Sequence, residues 1–436
     1  MSGAASGRTA LPDEAYTVAL LTLPGLSPTR LAVLLGQRQA GDDPAVTRPG
    51  DPVVPPLFPL DVPKAVGPTR SAAEVWSFVL AGRALQQATA GGPGGRLGRG
   101  GRGGRGGPGA TRDDDPEVTA ARWAAMAARL DVVDLWERYR RLDIVVDLLG
   151  TDSYPSQLAS DREAPYVLFR RGRQWPLDGH RVAIVGTRRC TPAGREIARE
   201  FGQALAAAGV RVVSGLALGI DGAAHQGAME GGAGRADGAP IGVVAGGFDL
   251  PYPARHRTLW RDVVERGVLV SEWPLGTPSE GWRFPARNRI IAGLADAVVV
   301  IESQERGGSM ITANAALERG VSVLAVPGSI RNPAAAGTNQ LLRDGAAPVC
   351  GIEDVFDALS LDSPAPPAKG DGRTPPGATA ERLLAVMGWE PIRLDVLMAH
   401  STLDPSTIAL ELAHLELAGW VAERAGYWHR IGPPPR

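Results

Sequence analysis

The chain has 436 residues, which is enough for two or three domains, and its 44% hydrophobic and 21% charged residues are typical of a globular protein. Its formal net charge of −1 excludes a protein that coats nucleic acid with a uniformly basic surface, although a local basic site remains compatible with it. The two cysteines, Cys190 and Cys350, exclude a disulfide scaffold or a cysteine-rich zinc site.

The sequence gives no sign of targeting to a membrane. Its first 18 residues contain no basic stretch followed by an apolar one, so no secretory signal is predicted. Nowhere do about 18 apolar residues follow one another, as a membrane-spanning helix requires. Together with the low cysteine content, this favours the reducing environment of the cytoplasm.

Residues 1–150 are predicted to form a mostly helical region with two insertions, at about 37–70 and about 91–115. Residues 11–36 read as a helix, a Pro-Gly turn and a second helix capped by Ser27. Helical spacing returns over residues 117–149. The helices provide the apolar faces, and the insertions are rich in Pro, Gly and charged residues.

The second insertion begins with a segment of very low complexity. Residues 91–109 contain 12 Gly and 4 Arg, a composition that cannot offset the entropy lost on ordering, so the segment is predicted to be disordered. It is either an Arg-Gly arm that touches nucleic acid or a simple spacer, and three aspartates that follow at 113–115 would offset part of its charge.

Residues 151–360 form the predicted core. Apolar runs rich in β-branched residues alternate there with helical patterns, which predicts an α/β fold with a doubly wound, mostly parallel sheet covered by helices on both faces. Six strands are predicted, within residues 181–186, 210–216, 240–247, 268–273, 296–303 and 321–328.

Two further segments follow the core. Residues 361–376 are rich in proline and are predicted to be a linker. Residues 377–436 show three helical patterns followed by a hairpin, which is the winged-helix pattern. Asp404 and Pro405 mark the start of the third helix, and Gly426 lies at the predicted wing tip.

Small residues and one cation follow the predicted strands. In an open parallel sheet ligands bind beyond the carboxyl ends of the strands, where small residues let backbone N–H groups approach an anion. Ordinary tight turns are the alternative explanation. The candidate residues are Gly186, Thr187, Arg188, Ser214, Gly215, Gly219, Gly246, Gly247, Gly308 and Ser309.

The segment Phe284 to Arg289 sets an aromatic ring beside Arg287, Asn288 and Arg289. An aromatic ring can stack on a nucleobase while guanidinium groups hold the phosphates. The alternative is a helix start whose phenylalanine belongs to the core. On the residues alone, the two interpretations are equally supported.

Other motifs argue against common nucleotide-binding enzymes. Neither the Gly-x-Gly-x-x-Gly pattern of dinucleotide oxidoreductases nor the P-loop pattern occurs in the expected place. Asp221 and His225 lie four residues apart, but no third ligand at suitable spacing points to a metal. Asp221 is better explained as a helix cap or loop brace, and His225 as a packed side chain.

The segments VAIVGTRRCTPAGREIA, SGLALGIDGAAHQGAM and RFPARNRIIAGLADAVVVIE resemble, in order, the DNA-processing protein A (DprA or Smf) family. The resemblance is strong over residues 181–350. It implies a Rossmann-like core that binds single-stranded DNA, an N-terminal SAM-like region and a C-terminal winged helix. The Gly186–Arg188 turn is then expected to contact the DNA backbone, and the Phe284–Arg289 segment to stack on bases and contact phosphates.

The same resemblance implies a recombination mediator that protects incoming single-stranded DNA and loads the RecA recombinase onto it. Such a protein is expected to be a homodimer without cofactor, metal or catalytic residues. The alternative is a nucleotide-processing enzyme of the phosphoribohydrolase type, for which Glu272 and Glu302 at strand ends would be the candidate acids. A third possibility assigns DNA recognition to the winged helix, although its third helix lacks Lys and Arg.

Overall fold

The computed structural model describes residues 11–36, 71–80, 116–173, 179–232, 238–361, 374–424 and 426–431. The chain divides into two compact units, Met1–Asp362 and Ser363–Arg436. The predicted insertions at 37–70 and 91–115, and most of the predicted linker, lie outside the described residues.

The N-terminal part of the first unit is helical. Its helices are α1 (Asp13–Leu21), α2 (Pro28–Leu34), α3 (Ala72–Leu80), α4 (Pro116–Ala127) and α5 (Val132–Arg141). The predicted turn between α1 and α2 is confirmed: Gly25 has a φ of 78°, and the Ser27 hydroxyl accepts a hydrogen bond from the Arg30 N–H. The assignment of these helices as a SAM-like domain stays a prediction.

A hairpin replaces the last part of a predicted helix. The sequence predicts helix through residue 149, but Ile144–Leu148 form strand β1, which pairs antiparallel with β2 (Val167–Gly172). The change occurs at Asp143, whose φ of 53° ends the helical path, and three β-branched residues follow it. The short helix α6 (Ser156–Ala159) lies between the strands.

The predicted doubly wound sheet is confirmed. Its parallel strands are β3 (Arg181–Val185), β4 (Arg211–Ser214), β5 (Ile241–Val243), β6 (Val268–Ser271), β7 (Ala297–Val300), β8 (Ser322–Ala325) and β9 (Ala347–Pro348). The order is β1-β2-β6-β5-β4-β3-β7-β8-β9, with the hairpin joined antiparallel to β6. Because the order runs outward in both directions from β3, the switch point of the topology lies between β3 and β7.

Helices cover both faces of the sheet. They are α7 (Pro192–Ala207), α8 (Ile220–Gly231), α9 (Arg257–Arg266), α10 (Arg283–Leu294), α11 (Gly308–Leu317), α12 (Ala336–Arg343) and α13 (Ile352–Ala358). Alternate residues of β3 serve opposite faces, as pleated geometry requires. Val182 and Ile184 belong to the core with α7, α8 and α13, and Ala183 and Val185 to the core with α10, α11 and α12.

The second unit is a winged helix, as predicted. It contains α14 (Ala378–Met387), α15 (Leu394–His400) and α16 (Pro405–Leu417), and a sheet of β10 (Ile392–Arg393), β11 (Val421–Arg424) and β12 (Tyr427–Arg430) in the order β10-β12-β11. Asp404 caps α16 by accepting from two backbone N–H groups. Within the described residues of the chain, no helix is long and apolar enough to cross a membrane.

Candidate functional site

A pocket lies at the carboxyl edge of the parallel sheet. It is lined by Arg188, Gly215, Ala217, Leu218, Tyr252, Pro253, Phe284 and Arg287. These residues come from the turns after β3 and β4, the segment before α9 and the first turns of α10. The fold thus joins two groups that the sequence singled out separately, the turn with Arg188 and the segment with Phe284.

The exposed wall of the pocket is a guanidinium stacked on an aromatic ring. The guanidinium carbon of Arg188 lies 4.8 Å from the centre of the Phe284 ring, within cation–π range. Arg188 is exposed and Phe284 is half-buried. Tyr252 is 47% exposed, and its ring tilts against that of Phe284 with the ring centres 5.4 Å apart. This wall therefore offers a cation and two rings to solvent.

A second guanidinium lies beneath the first. Arg287 is buried, and its Nη1 donates hydrogen bonds to the carbonyl oxygens of Gly215 and Val243 at 2.8 and 2.5 Å. Burial lowers its pKa to about 10, an effect that nearby Asp221 opposes and Arg188 reinforces. Arg287 hence stays cationic at neutral pH and fixes α10 across the ends of β4 and β5.

The turn that carries Arg188 is fixed by its backbone. The N–H of Thr187 donates to the carbonyl of Glu302 at 2.8 Å, which ties the end of β3 to the end of β7. Gly219 has a φ of 82°, and a Cβ there would lie 2.4 Å from the carbonyl oxygen of Thr187. A Cβ on Gly186 would collide with the Ile220 side chain at 2.5 Å. The small residues of this turn thus permit close packing that aims Arg188 outward.

Three other candidate residues are buried inside the rim. The Ser214 hydroxyl donates to the carbonyl of Ile184 at 2.6 Å, so its polar group is occupied. Gly246 and Gly247 are buried where the chain after β6 crosses them, and the Gly247 N–H donates to the Thr277 carbonyl at 2.8 Å. Their small size allows that crossing segment to come close.

The remaining candidates connect α10 to its neighbours. Arg289 forms an ion pair with Glu272 at 2.7 Å, and both side chains are nearly buried. The Asn288 amide donates to the Gly308 carbonyl at 3.1 Å. The Ser309 hydroxyl donates to that of Ser303 at 2.8 Å, whereas Gly308 itself is exposed and has open space above its Cα.

Several rim residues were not predicted from the sequence. They are Tyr252 and a cluster at the start of α10, in which the rings of Trp273 and Trp282 and the guanidinium of Arg283 pack together. The signal was present, because Trp282 and Arg283 directly precede Phe284 in the chain. Their exposure, however, depends on the path of the segment after β6.

The carboxylates near the rim have structural partners. Glu302 accepts from the Thr191 N–H at 2.8 Å and from the Thr191 hydroxyl at 2.5 Å, at the start of α7. Asp221 is buried and accepts from the Gly215 N–H at 3.1 Å, so it braces the turn after β4 as the sequence predicted. In the described part of the chain, no three His, Cys, Asp or Glu side chains group as metal ligands would.

A doubly wound core with a basic, aromatic rim, followed by a winged helix, defines the class: a Rossmann-like protein that carries a C-terminal winged-helix domain. The sequence model described as DNA recombination-mediator protein A matches residues 146–360, and that of the DprA winged helix domain matches residues 363–427. The chain belongs to the DNA-processing protein DprA/Smf family.

Individual relatives agree with this assignment. The chain is 36% identical to Protein Smf of Escherichia coli over 293 residues, which cover 65% of this chain and 77% of that protein. It is 39% identical to the DNA processing protein DprA of Bacillus subtilis over 222 residues, or 51% and 73% of the two chains. The solved structure of DprA from Streptococcus pneumoniae matches with a TM-score of 0.50 and 34% identity, over 55% of this chain and 81% of that one.

Proposed function

We propose that this protein binds single-stranded DNA in the crevice between Arg188 and the start of α10, as a recombination mediator without catalytic activity of its own. The observation that carries the proposal is the exposed Arg188 guanidinium stacked on the Phe284 ring at 4.8 Å. Stacking rings combined with backbone-neutralising cations are the usual means of binding single strands without reading their sequence.

In this proposal the predicted site residues divide their tasks. Arg188 contacts phosphates, and Phe284 stacks on a base. Exposed Gly308, with open space above it, lets the DNA backbone approach the start of α11. Arg287, Asn288 and Arg289 are positioning residues, because their polar groups already have partners inside the protein.

The wider role rests on the family. Membership supports a cytoplasmic protein that protects incoming single-stranded DNA and loads RecA onto it, acting as a homodimer. The nucleotide-hydrolase alternative is not favoured, because both of its candidate acids are engaged. Glu272 is paired with Arg289, and Glu302 with the backbone and hydroxyl of Thr191.

The deciding experiment compares Arg188→Ala with Arg189→Ala. Both arginines are exposed and adjacent, so the variants lose the same charge, but Arg188 is the one stacked on Phe284. Anisotropy titrations of labelled oligothymidylate at several salt concentrations should show a loss of affinity of about tenfold or more for Arg188→Ala. Its salt slope should fall by about 0.7 for each phosphate that the variant no longer neutralises.

Arg189→Ala should stay within about threefold of the wild type. Equal affinities of the two variants would place the DNA elsewhere and refute the crevice as its site. A double-stranded oligonucleotide of the same sequence should bind more weakly to the wild type, because paired bases do not offer their faces for stacking.

A further inference from the structure

A second aromatic surface lies on the same rim, outside the pocket. Trp282 is 52% exposed, and its ring meets that of buried Trp273 edge to face, with ring centres 5.4 Å apart. The guanidinium carbon of Arg283 lies 4.6 Å from the ring centre of Trp273 and 4.7 Å from that of Trp282. We refer to these three residues as the Trp282 cluster.

The cluster holds an exposed ring in a fixed position. The Trp282 Nε1 donates to the Glu280 carboxylate at 2.8 Å, and the Arg283 Nη1 donates to the Pro278 carbonyl at 2.5 Å. The Arg283 side chain is only 13% exposed, and its guanidinium packs against both rings and restrains them. A large ring that is both exposed and rigid loses little entropy when a flat ligand stacks on it.

The position of the cluster continues the proposed DNA path. Trp273 follows the end of β6, whereas Arg188 follows the end of β3, and β4 and β5 lie between them. Three strand spacings amount to about 14 Å. The phosphates of one strand in duplex DNA are about 3.4 Å apart along the helix axis, so this stretch of rim accommodates several nucleotides.

The local charge indicates what kind of contact the cluster makes. Arg283 pairs with Glu280 at 3.2 Å, so the cation beside Trp282 is already neutralised. A phosphate would gain little there, whereas the exposed half of the indole ring suits an uncharged, flat group. Nucleobases present such a face whatever their identity.

We propose that Trp282, supported by Trp273 and Arg283, is a second base-stacking surface that extends the single-stranded-DNA site beyond the Arg188–Phe284 pocket. This inference rests on the proposed function. It assigns base contact to Trp282 and phosphate contact to Arg188. The losses of affinity caused by substituting the two residues should therefore depend differently on oligonucleotide length and on salt.

The test uses the full chain and the shortest oligothymidylate that binds wild type with full affinity. Trp282→Ala should weaken its binding roughly five- to 150-fold, the effect of losing one stacked base, with the salt slope unchanged. Trp282→Phe keeps a ring and should recover most of the affinity. Trp389→Ala, which removes an equally exposed tryptophan from the second unit, should bind as the wild type does.

A single abasic nucleotide moved along the same oligonucleotide locates the contact. At one or two positions the abasic nucleotide should weaken binding to the wild type. Trp282→Ala should bind that abasic strand as tightly as it binds the intact strand. An abasic penalty that stays the same in Trp282→Ala at every position would overturn the inference, as would equal losses from Trp282→Ala and Trp389→Ala. If Arg188→Ala weakens binding but Trp282→Ala does not, the inference alone fails; if Arg188→Ala has no effect, the proposed crevice fails first.

Discussion

Arg188 and Arg287 line one pocket but are held in opposite ways. Arg188 is exposed and touches the Phe284 ring, whereas Arg287 is buried and donates to two carbonyl oxygens beside Asp221. Removing a buried charge that has partners costs far more than removing an exposed one, because the partners stay buried and unpaired. The proposal that Arg188 contacts DNA and Arg287 positions the site can therefore be tested by the free energy of unfolding of variants.

We expect Arg287→Met to lower the free energy of unfolding by about 3–5 kcal/mol, since it leaves two buried carbonyl groups without their donor and buried Asp221 without its nearby positive charge. Arg188→Met should change it by no more than about 0.5 kcal/mol, as is usual for an exposed side chain. Urea unfolding followed by circular dichroism measures both. A similar loss in the two variants would mean that Arg188 also has a structural role.

His225 makes the stability of the first unit depend on pH. Burial lowers its pKa from 6.5 to about 4, so the unfolded chain binds a proton that the folded chain rejects. Above about pH 6.5 His225 is neutral in both the folded and the unfolded state. The free energy of unfolding then falls as the pH drops from about 6.5 towards 4. The loss amounts to about 3 kcal/mol in all, with a slope of at most about 1.4 kcal/mol per pH unit.

Comparison with His225→Gln isolates that contribution. Burial raises the pKa of Asp221, which works in the opposite direction, because the folded state then takes up the proton first. Both proteins contain Asp221, so its effect cancels in their difference. Unfolding free energies measured between pH 7 and pH 4 should fall more steeply for wild type, and parallel curves would contradict the assignment.

At the level of elements, regular patterns were predictable and interruptions were not. The parallel strands β3 to β8 are apolar runs that end in small residues, so their type, order along the chain and common edge followed from the sequence. Strand β1 was missed because it directly follows an amphipathic helix, and the break at Asp143 uses a positive φ without glycine. Such a break has no strong sequence signal.

The candidate site was likewise predictable only in part. Arg188 and Phe284 are 96 positions apart, yet each follows or faces a strand end, which suffices to predict that they share one edge. The sequence could not show that Arg289 pairs with Glu272, or that Trp282 stays exposed. Both facts depend on how the segment between β6 and α10 folds back over β5.

At the level of the whole molecule, the two units have separate apolar cores. The second unit builds its core from its own helices and strands, with Leu383, Leu397, Ile408 and Leu412 fully buried or nearly so. Helix α16, the one that a winged helix would place in a DNA groove, carries two glutamates and neither Lys nor Arg. This composition argues against α16 as the main DNA contact.

Residues 1–362 alone should consequently fold and keep the affinity of the full chain for single-stranded DNA to within about threefold, because the first unit contains every residue of the proposed site and the cores that support it. The measurement is the oligothymidylate titration with the truncated and the full-length chain, each also carrying Arg188→Ala. In both lengths the substitution should cause the same loss, since additivity holds for sites without shared partners. A truncated chain that unfolds cooperatively but binds more than tenfold more weakly would show that the winged helix supplies part of the DNA contact, and the crevice would then be only one of two sites.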